Sequence, residues 1–219
     1  PSSMTRTTPY LSVIVPTLDE EPRIERCLND LLSLDGVDEI VVVDGGSEDR
    51  TLAIARSFPS VRVLTSCAGR GRQMNAAART ACGEVLLFLH ADVRLPTDAS
   101  TRIGHALGDR EVVAGAFRTW TIADGGPRAW LAPLLHLADV RSRYTRLPYG
   151  DQAIFVRASA FAQVGGFPDV PILEDRELCQ RLRRIGRIKT VPASVRVSGR
   201  RFLARPVAAT VLTNVIPLL

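Results

Sequence analysis

Short apolar runs closed by polar or turn-forming residues recur through the first half of the chain: Leu11 to Val15, Glu39 to Val43, Arg62 to Leu64 and Val85 to Leu89. Each is too short for an ordinary helix face and suits a strand buried on both sides. The last run, inside EVLLFLHADVR (Glu84 to Arg94), stops abruptly at His90-Ala91-Asp92. Between the runs the spacing becomes helical. Ile24, Cys27, Leu28, Leu31 and Leu32 share one predicted face, Ser47 is placed to cap a helix through Ala55, and an alanine-rich helix runs to Ala81. Strand, loop, helix and strand in this order make parallel sheets.

The second half is more mixed. Thr97 is placed to cap a helix to Leu107, and Val112 to Ile122 alternates like a longer, partly exposed strand. Asp124-Gly125-Gly126-Pro127 reads as a turn, and Trp130 to Val140 as a helix that keeps His136 as a core residue. Tyr149-Gly150-Asp151-Gln152 then leads into a strand from Ala153 to Val156, a short helix and the turn Gly165-Gly166-Phe167-Pro168. Glu174-Asp175 opens a helix on Leu178, Leu182 and Ile185 that Gly186 ends, and two short strands follow, Ile188 to Val191 and Ser194 to Val197. The class expected is α/β, with helices on a mixed, mainly parallel central sheet.

At 219 residues and 46% hydrophobic content the chain can bury a sizeable core, and nothing marks an internal boundary. No stretch is long and apolar enough to span a bilayer, and PSSMTRTTPY lacks the apolar middle of a signal peptide, so residues 1–10 read as a tail and a cytoplasmic location is expected. Cys27, Cys67, Cys82 and Cys179 lack zinc-site spacing and read as reduced, mostly core residues. The net charge of +5 comes largely from arginines crowded into the later part. These admit anionic substrates and acidic lipid surfaces, whereas nucleic acid is disfavoured by an aromatic content of only 5%.

Candidate chemistry gathers after the strands. Asp19, Asp44 and Asp92 each follow or end an apolar run, where ligands of open α/β sheets lie. Ala68 to Asn75 is a glycine-bearing loop with two arginines at a helix start, suited to a phosphate. Glu174-Asp175 is either favourable charge at a helix N-terminus, worth a few tenths to about 1 kcal/mol, or the location of a general base. There is no dinucleotide fingerprint after the first strand and no P-loop, so hydride transfer and ATP hydrolysis are not the first expectations.

Taken in order, LSVIVPTLDE, IVVVDGGSEDRT, RGRQMNAAA, FLHADVR, YGDQAIFVR, GGF and ILEDRELCQRLRRIG resemble the family-2 glycosyltransferases of GT-A fold, from Leu11 to about Arg201. The likeness is nearest to a compact bacterial subgroup associated with radical-SAM and selenium-domain genes. It implies one Rossmann-like GT-A domain over 11–205, with a nucleotide-binding half at about 11–95 and an acceptor half at about 96–205. An apolar helix over 206–219 would follow; it carries no helix-ending signal, so the native chain is expected to continue.

Carried over residue by residue, the resemblance places Pro16, Thr17, Asp19 and Glu20 around the nucleoside, Asp44 and Gly45 at base or ribose, and Arg70, Arg72 and Asn75 near the diphosphate. His90, Ala91 and Asp92 would follow the donor, with Asp92 and His90 holding a divalent cation, Mn2+ or Mg2+. His90 departs from the family's first aspartate, which would either weaken metal binding or shift the preference from magnesium toward manganese. Gly150, Asp151 and Gln152 would face the acceptor, and Asp175, paired with Glu174, would be the base of an inverting displacement. The implied reaction moves one sugar from a nucleotide sugar, a UDP-sugar by preference, to a hydroxyl. The arginine-tryptophan element of processive synthases is missing, which favours a single transfer. A polyprenyl-phosphate acceptor at the inner membrane face and a non-catalytic nucleotide-sugar binding protein are the alternatives. Peripheral membrane contact and a homodimer are both admissible.

Overall fold

The computed structural model describes residues 10–122, 139, 147–170 and 173–199. The expected turn at 124–127, the helix over 130–140 apart from Asp139, and the stretch 206–219 lie outside them. The apolar runs become strands β1 (Leu11–Thr17), β2 (Glu39–Asp44), β3 (Val61–Thr65) and β4 (Val85–Phe88). Between them lie helices α1 (Glu21–Leu32), α2 (Thr51–Arg56) and α3 (Arg70–Ala78). The chain continues through β5 (Val93–Arg94), α4 (Ala99–Leu107), β6 (Val112–Ile122), a 3₁₀ turn (Gly150–Gln152), β7 (Phe155–Arg157), α5 (Ala158–Gln163), α6 (Glu174–Leu182) and β8 (Arg187–Ser198).

All eight strands form one sheet in the order β3-β2-β1-β4-β7-β6-β8-β5. Pairings are parallel from β3 through β4 and between β6 and β8, and antiparallel at β7 and β5. The mixed, mainly parallel sheet is thus as expected, and the free ends of β1, β2, β4, β6 and β8 point the same way. Alternation along the strands feeds two cores. Val13, Val15, Val42 and Leu87 pack toward α1 and α4, while Ile14, Val41, Leu86 and Phe88 pack toward α3, α5 and α6. Burying each such side chain contributes about 1.5–3 kcal/mol. In the second core the rings of Phe88, Phe161 and Phe167 meet with centroids 4.8–5.5 Å apart.

Several local expectations change. Leu32 is 45% exposed, because α1 turns away from the core at its last residue. Neither Ser47 nor Thr97 caps a helix: α2 starts after Arg50 and α4 after Asp98. Strand β6 is longer and partly exposed as expected, with Trp120 47% exposed while most of its other residues are buried between β7 and β8. The two short strands expected near the end are one, β8, whose register against β6 shifts between Val191 and Ser194. Pro192 and Ala193 sit in that irregularity, where a missing backbone donor is tolerated. Of the cysteines, only Cys27 and Cys179 are buried.

Candidate active site

The loops after β1 and β2 are built first, because their own polar groups consume most of the acids expected to meet a ligand. Asp44 is 1% exposed. Its Oδ2 accepts the N–H groups of Gly46 and Ser47 at 3.0 and 2.9 Å, and its Oδ1 accepts the hydroxyls of Thr17 (3.2 Å) and Ser47. Four donors saturate the carboxylate, so it braces the loop and does not present an oxygen to a base or ribose. Asp19 adopts φ +53°, and its Oδ1 accepts the N–H of Glu48 at 2.9 Å. It therefore ties the β1 loop to the β2 loop. Two further cross-links do the same, Glu20 N–H to Thr51 Oγ1 at 2.8 Å and Glu21 N–H to Asp49 Oδ2 at 3.0 Å. Burial acts to raise the Asp49 carboxyl, but the hydroxyl and backbone donors of Thr51 outweigh it and hold the group below its ordinary value.

Helix α3 enters this edge from behind. Gly69 precedes it at φ +131°, a conformation that favours glycine. Gln73 donates through Nε2 to the carbonyls of Thr17 and Val43 at 2.8 and 2.9 Å, clamping the ends of β1 and β2. A Cβ at Gly45 would stand 3.0 Å from that amide, so the glycine permits the approach. Asn75 is likewise turned inward. It donates to Phe167 O at 2.8 Å and accepts from Phe167 N–H at 2.9 Å, which staples α3 to the turn after α5 rather than facing a diphosphate.

These elements leave a cleft of about 850 Å³. Pro16, Thr17, Leu18 and Glu20 line one wall, and Ala68, Gly69, Arg70, Arg72 and Gln73 the floor. Tyr149, Asp169, Val170, Leu173, Glu174 and Asp175 line the far wall. Of the expected site residues, Pro16, Thr17, Glu20, Arg70, Arg72, Glu174 and Asp175 meet here. Leu18, Gln73, Tyr149, Asp169, Val170 and Leu173 were not foreseen; Asp169 reaches Arg72 from 97 residues away, a juxtaposition no local pattern encodes.

Both arginines are held by far-wall carboxylates. Arg72 makes a two-pronged contact with Asp169, Nε to Oδ1 at 2.7 Å and Nη2 to Oδ2 at 2.9 Å. Hydrogen bonding from Arg72 lowers the Asp169 carboxyl, and the same bond raises the guanidinium. Arg70 lies 3.5 Å from Glu174, a carboxylate that is buried at the start of α6.

Asp175 is half-buried, and its Oδ2 accepts the N–H of Gly150. A Cβ at Gly150 would lie 3.2 Å from Asp175 Oδ2 and from Cε1 and Nε2 of His90, so the glycine lets the imidazole and carboxylate approach. Gln152, expected toward an acceptor, is 1% exposed and braces the interior. Its Oε1 accepts Tyr149 N–H and its Nε2 donates to Phe117 O, both at 2.9 Å.

Ala91 and Asp92 do not line the large cleft. They face a neighbouring groove of about 420 Å³ beside Cys27 and Asp30. Burial first, and then the charges of Asp30, Asp92 and Glu20, push the Cys27 thiol up to about 12. Among the described residues no group of three or more His, Cys, Asp or Glu side chains is placed to hold a metal ion. A cation on Asp92 and His90 would have two protein ligands among the described residues and would take others from substrate phosphates and water.

The sequence profile of glycosyl transferase family 2 matches residues 12–165, which span both loop systems and the Gly150 turn. The chain belongs to that family. An uncharacterized protein of Mycobacterium tuberculosis (strain CDC 1551) is 30% identical over 236 residues, covering 95% of this chain and 70% of that protein. The mannosyltransferase PcManGT of Pyrobaculum calidifontis, solved with GDP-Man and Mn2+, is 26% identical with a TM-score of 0.64. The match covers 86% of this chain and 56% of PcManGT. TarS 1-349 of S. aureus, solved with UDP-GlcNAc, superimposes with a TM-score of 0.67 at 23% identity, over 86% of this chain and 58% of that one. The family 2 chain described here thus has a GT-A fold and spans little more than half of those two solved chains. In it, the cleft at the ends of β1 and β2 faces the Glu174-Asp175 pair across a gap floored by arginines. No helix among the described residues is long and apolar enough to cross a membrane.

Proposed function

We propose that this family 2 chain transfers one sugar from a nucleotide sugar, a UDP-sugar by preference, to an acceptor hydroxyl with inversion, Asp175 acting as general base. The observation that carries the reading is that one cleft is lined by Asp175, by Pro16, Thr17 and Glu20, and by Arg70 and Arg72. An alcohol is a poor nucleophile at neutral pH and needs a carboxylate against it. Asp175 accepts the acceptor proton as the hydroxyl oxygen bonds to the anomeric carbon. The bond from that carbon to the diphosphate oxygen breaks, and its electron pair leaves with the nucleoside diphosphate. Attack from the face opposite the leaving group inverts the centre.

Arg70 and Arg72 are placed to take up the charge that grows on the leaving group. Gly150 orients the base through its N–H, which leaves lone pairs of Asp175 for the acceptor. The inward turn of Asp44, Asn75 and Gln152 moves their contribution from ligand contact to holding the walls. A divalent cation, Mn2+ or Mg2+, would be held by His90, whose ring lies beside Gly150 and Asp175, together with Asp92, which lines the neighbouring groove, and it would supply further charge stabilisation to the leaving group. The Mn2+ in the PcManGT complex supports a divalent cation in the reaction.

The test is calorimetric titration with UDP, GDP, CDP and ADP, each with and without Mn2+. Metal-enhanced binding of UDP is expected. Tighter GDP binding would move the donor to the class bound by PcManGT, and no binding of any nucleotide would overturn the reading.

A further inference from the structure

The groove beside Asp92 shares no lining residue with the large cleft. Four arginines line it from three elements: Arg23 and Arg26 on α1, Arg94 on β5 and Arg196 on β8. Only two carboxylates, Asp30 and Asp92, line it with them. Arg94 is paired with Asp30 at 3.0 Å, and Arg23 with Glu20 at 2.9 Å. Arg26 and Arg196 have no hydrogen-bond or ion-pair partner among the described residues.

Register sharpens the point. Arg94 and Arg196 are directly opposed across the antiparallel β5–β8 pair, and like charges so placed oppose the pairing. Strand β5 has only two residues. A short strand that carries a like-charge pair gains from any anion that settles between the two guanidiniums, and arginine forks match phosphate oxygens. The groove is lined by Ala91 and Asp92 after β4 and reaches Ile122 and Ser198, the last residues of β6 and β8.

We infer that this groove is a second anion site that binds a phosphate ester through Arg26, Arg94 and Arg196, with a lining distinct from that of the nucleotide cleft and with Asp92 between the bound phosphate and the donor. Resting on the proposed transfer reaction, its role is to hold the phosphate of a phosphorylated acceptor. A lipid phosphate and a soluble phosphate ester share this chemistry.

The site is tested with the full chain and the double variant Arg26→Ala/Arg196→Ala, with Arg196→Glu as a second variant. Both positions are exposed and unpaired among the described residues, so the thermal midpoint is expected to hold. Binding is measured to inorganic phosphate, to vesicles of phosphatidylcholine carrying phosphatidic acid, and to nucleoside diphosphate with Mn2+. Phosphate or vesicle binding by the parent chain is expected to weaken about tenfold for each arginine removed, to reverse in Arg196→Glu and to fall with salt. Nucleotide binding is expected to stay unchanged. Binding of vesicles but not free phosphate assigns the lipid source, and the converse assigns the soluble one. Phosphate and vesicle binding that is absent, or equal in parent and variants, overturns the site. Nucleotide binding that falls in step with the arginines also overturns it, by making the groove part of the donor site. Failure of the nucleotide arm alone instead removes the transfer reading and leaves the anion site standing.

Discussion

Replacing Asp175 with Asn removes the proposed base while keeping its shape. The side chain is half-buried; Oδ2 accepts Gly150 N–H, and Oδ1 accepts Arg176 N–H at 3.0 Å. An asparagine retains one oxygen for Gly150 and loses the second acceptor. The cost to the fold is at most one hydrogen bond to a charged group, about 1.5–3 kcal/mol. The cost to chemistry is larger. A positioned general base contributes roughly 100- to 10,000-fold, equivalent to about 2.7–5.4 kcal/mol of barrier.

The assay is release of nucleoside diphosphate under saturating donor, alongside calorimetric nucleotide affinity and a thermal melt. Turnover is expected to collapse while nucleotide affinity holds, because Asp175 is proposed to meet the acceptor hydroxyl and not the nucleotide. A loss of turnover smaller than about tenfold would refute the base assignment. So would a loss that merely tracks weaker nucleotide binding, which would make Asp175 part of the wall rather than the chemistry.

Two other measurements follow from the geometry. Asn75→Ala removes both hydrogen bonds to the backbone of Phe167, so urea unfolding is expected to show about 1–3 kcal/mol of lost stability; an undiminished stability would return Asn75 to the ligand side. Asp169, hydrogen-bonded by Arg72, has a folded-state value lowered from the ordinary 3.8. Its contribution is thus complete above 3.8 and lost as the pH falls through the lowered value. A carboxylate NMR titration should show the Asp169 midpoint below 3.8 and its return to the ordinary value in Arg72→Ala; equal midpoints would remove the latch.

The parallel half of the fold was legible because β1, β2, β3 and β4 are written as continuous apolar runs, each closed by turn chemistry. Strand β5 was not, since two residues become a strand only by finding β8. Nor was the continuity of β8, because Pro192 reads locally as a stop and only the partner strand shows a shifted register. In the candidate site, the sequence marked loops that meet at one cleft but not which way each side chain points. Asp44 and Asn75 sit among expected ligand-facing positions in sequence, yet Asp44 is taken up by backbone and hydroxyl donors of its own and the neighbouring loop, and Asn75 by the backbone of Phe167. Asp169 and Tyr149 were invisible for the opposite reason, as their place in the cleft depends on how the second half of the chain returns to the first.

That return also ranks the two arginines. The pair Arg72–Asp169 is well exposed on both sides, at 57% and 69%, and such a pair contributes little in water. On the proposed reading, a diphosphate entering the cleft replaces Asp169 as the partner of Arg72 at small cost. Arg70 differs, because its partner Glu174 is only 8% exposed at the side chain. Pulling Arg70 away would leave a buried carboxylate without its cation, next to the proposed base. Arg70 therefore stays with Glu174 and meets the leaving group only with its remaining donors, while Arg72 is free to exchange its whole fork. The same logic explains why the two acids of the Glu174-Asp175 pair are not interchangeable: one is committed to an arginine in the floor, and only the other faces the gap with lone pairs to give.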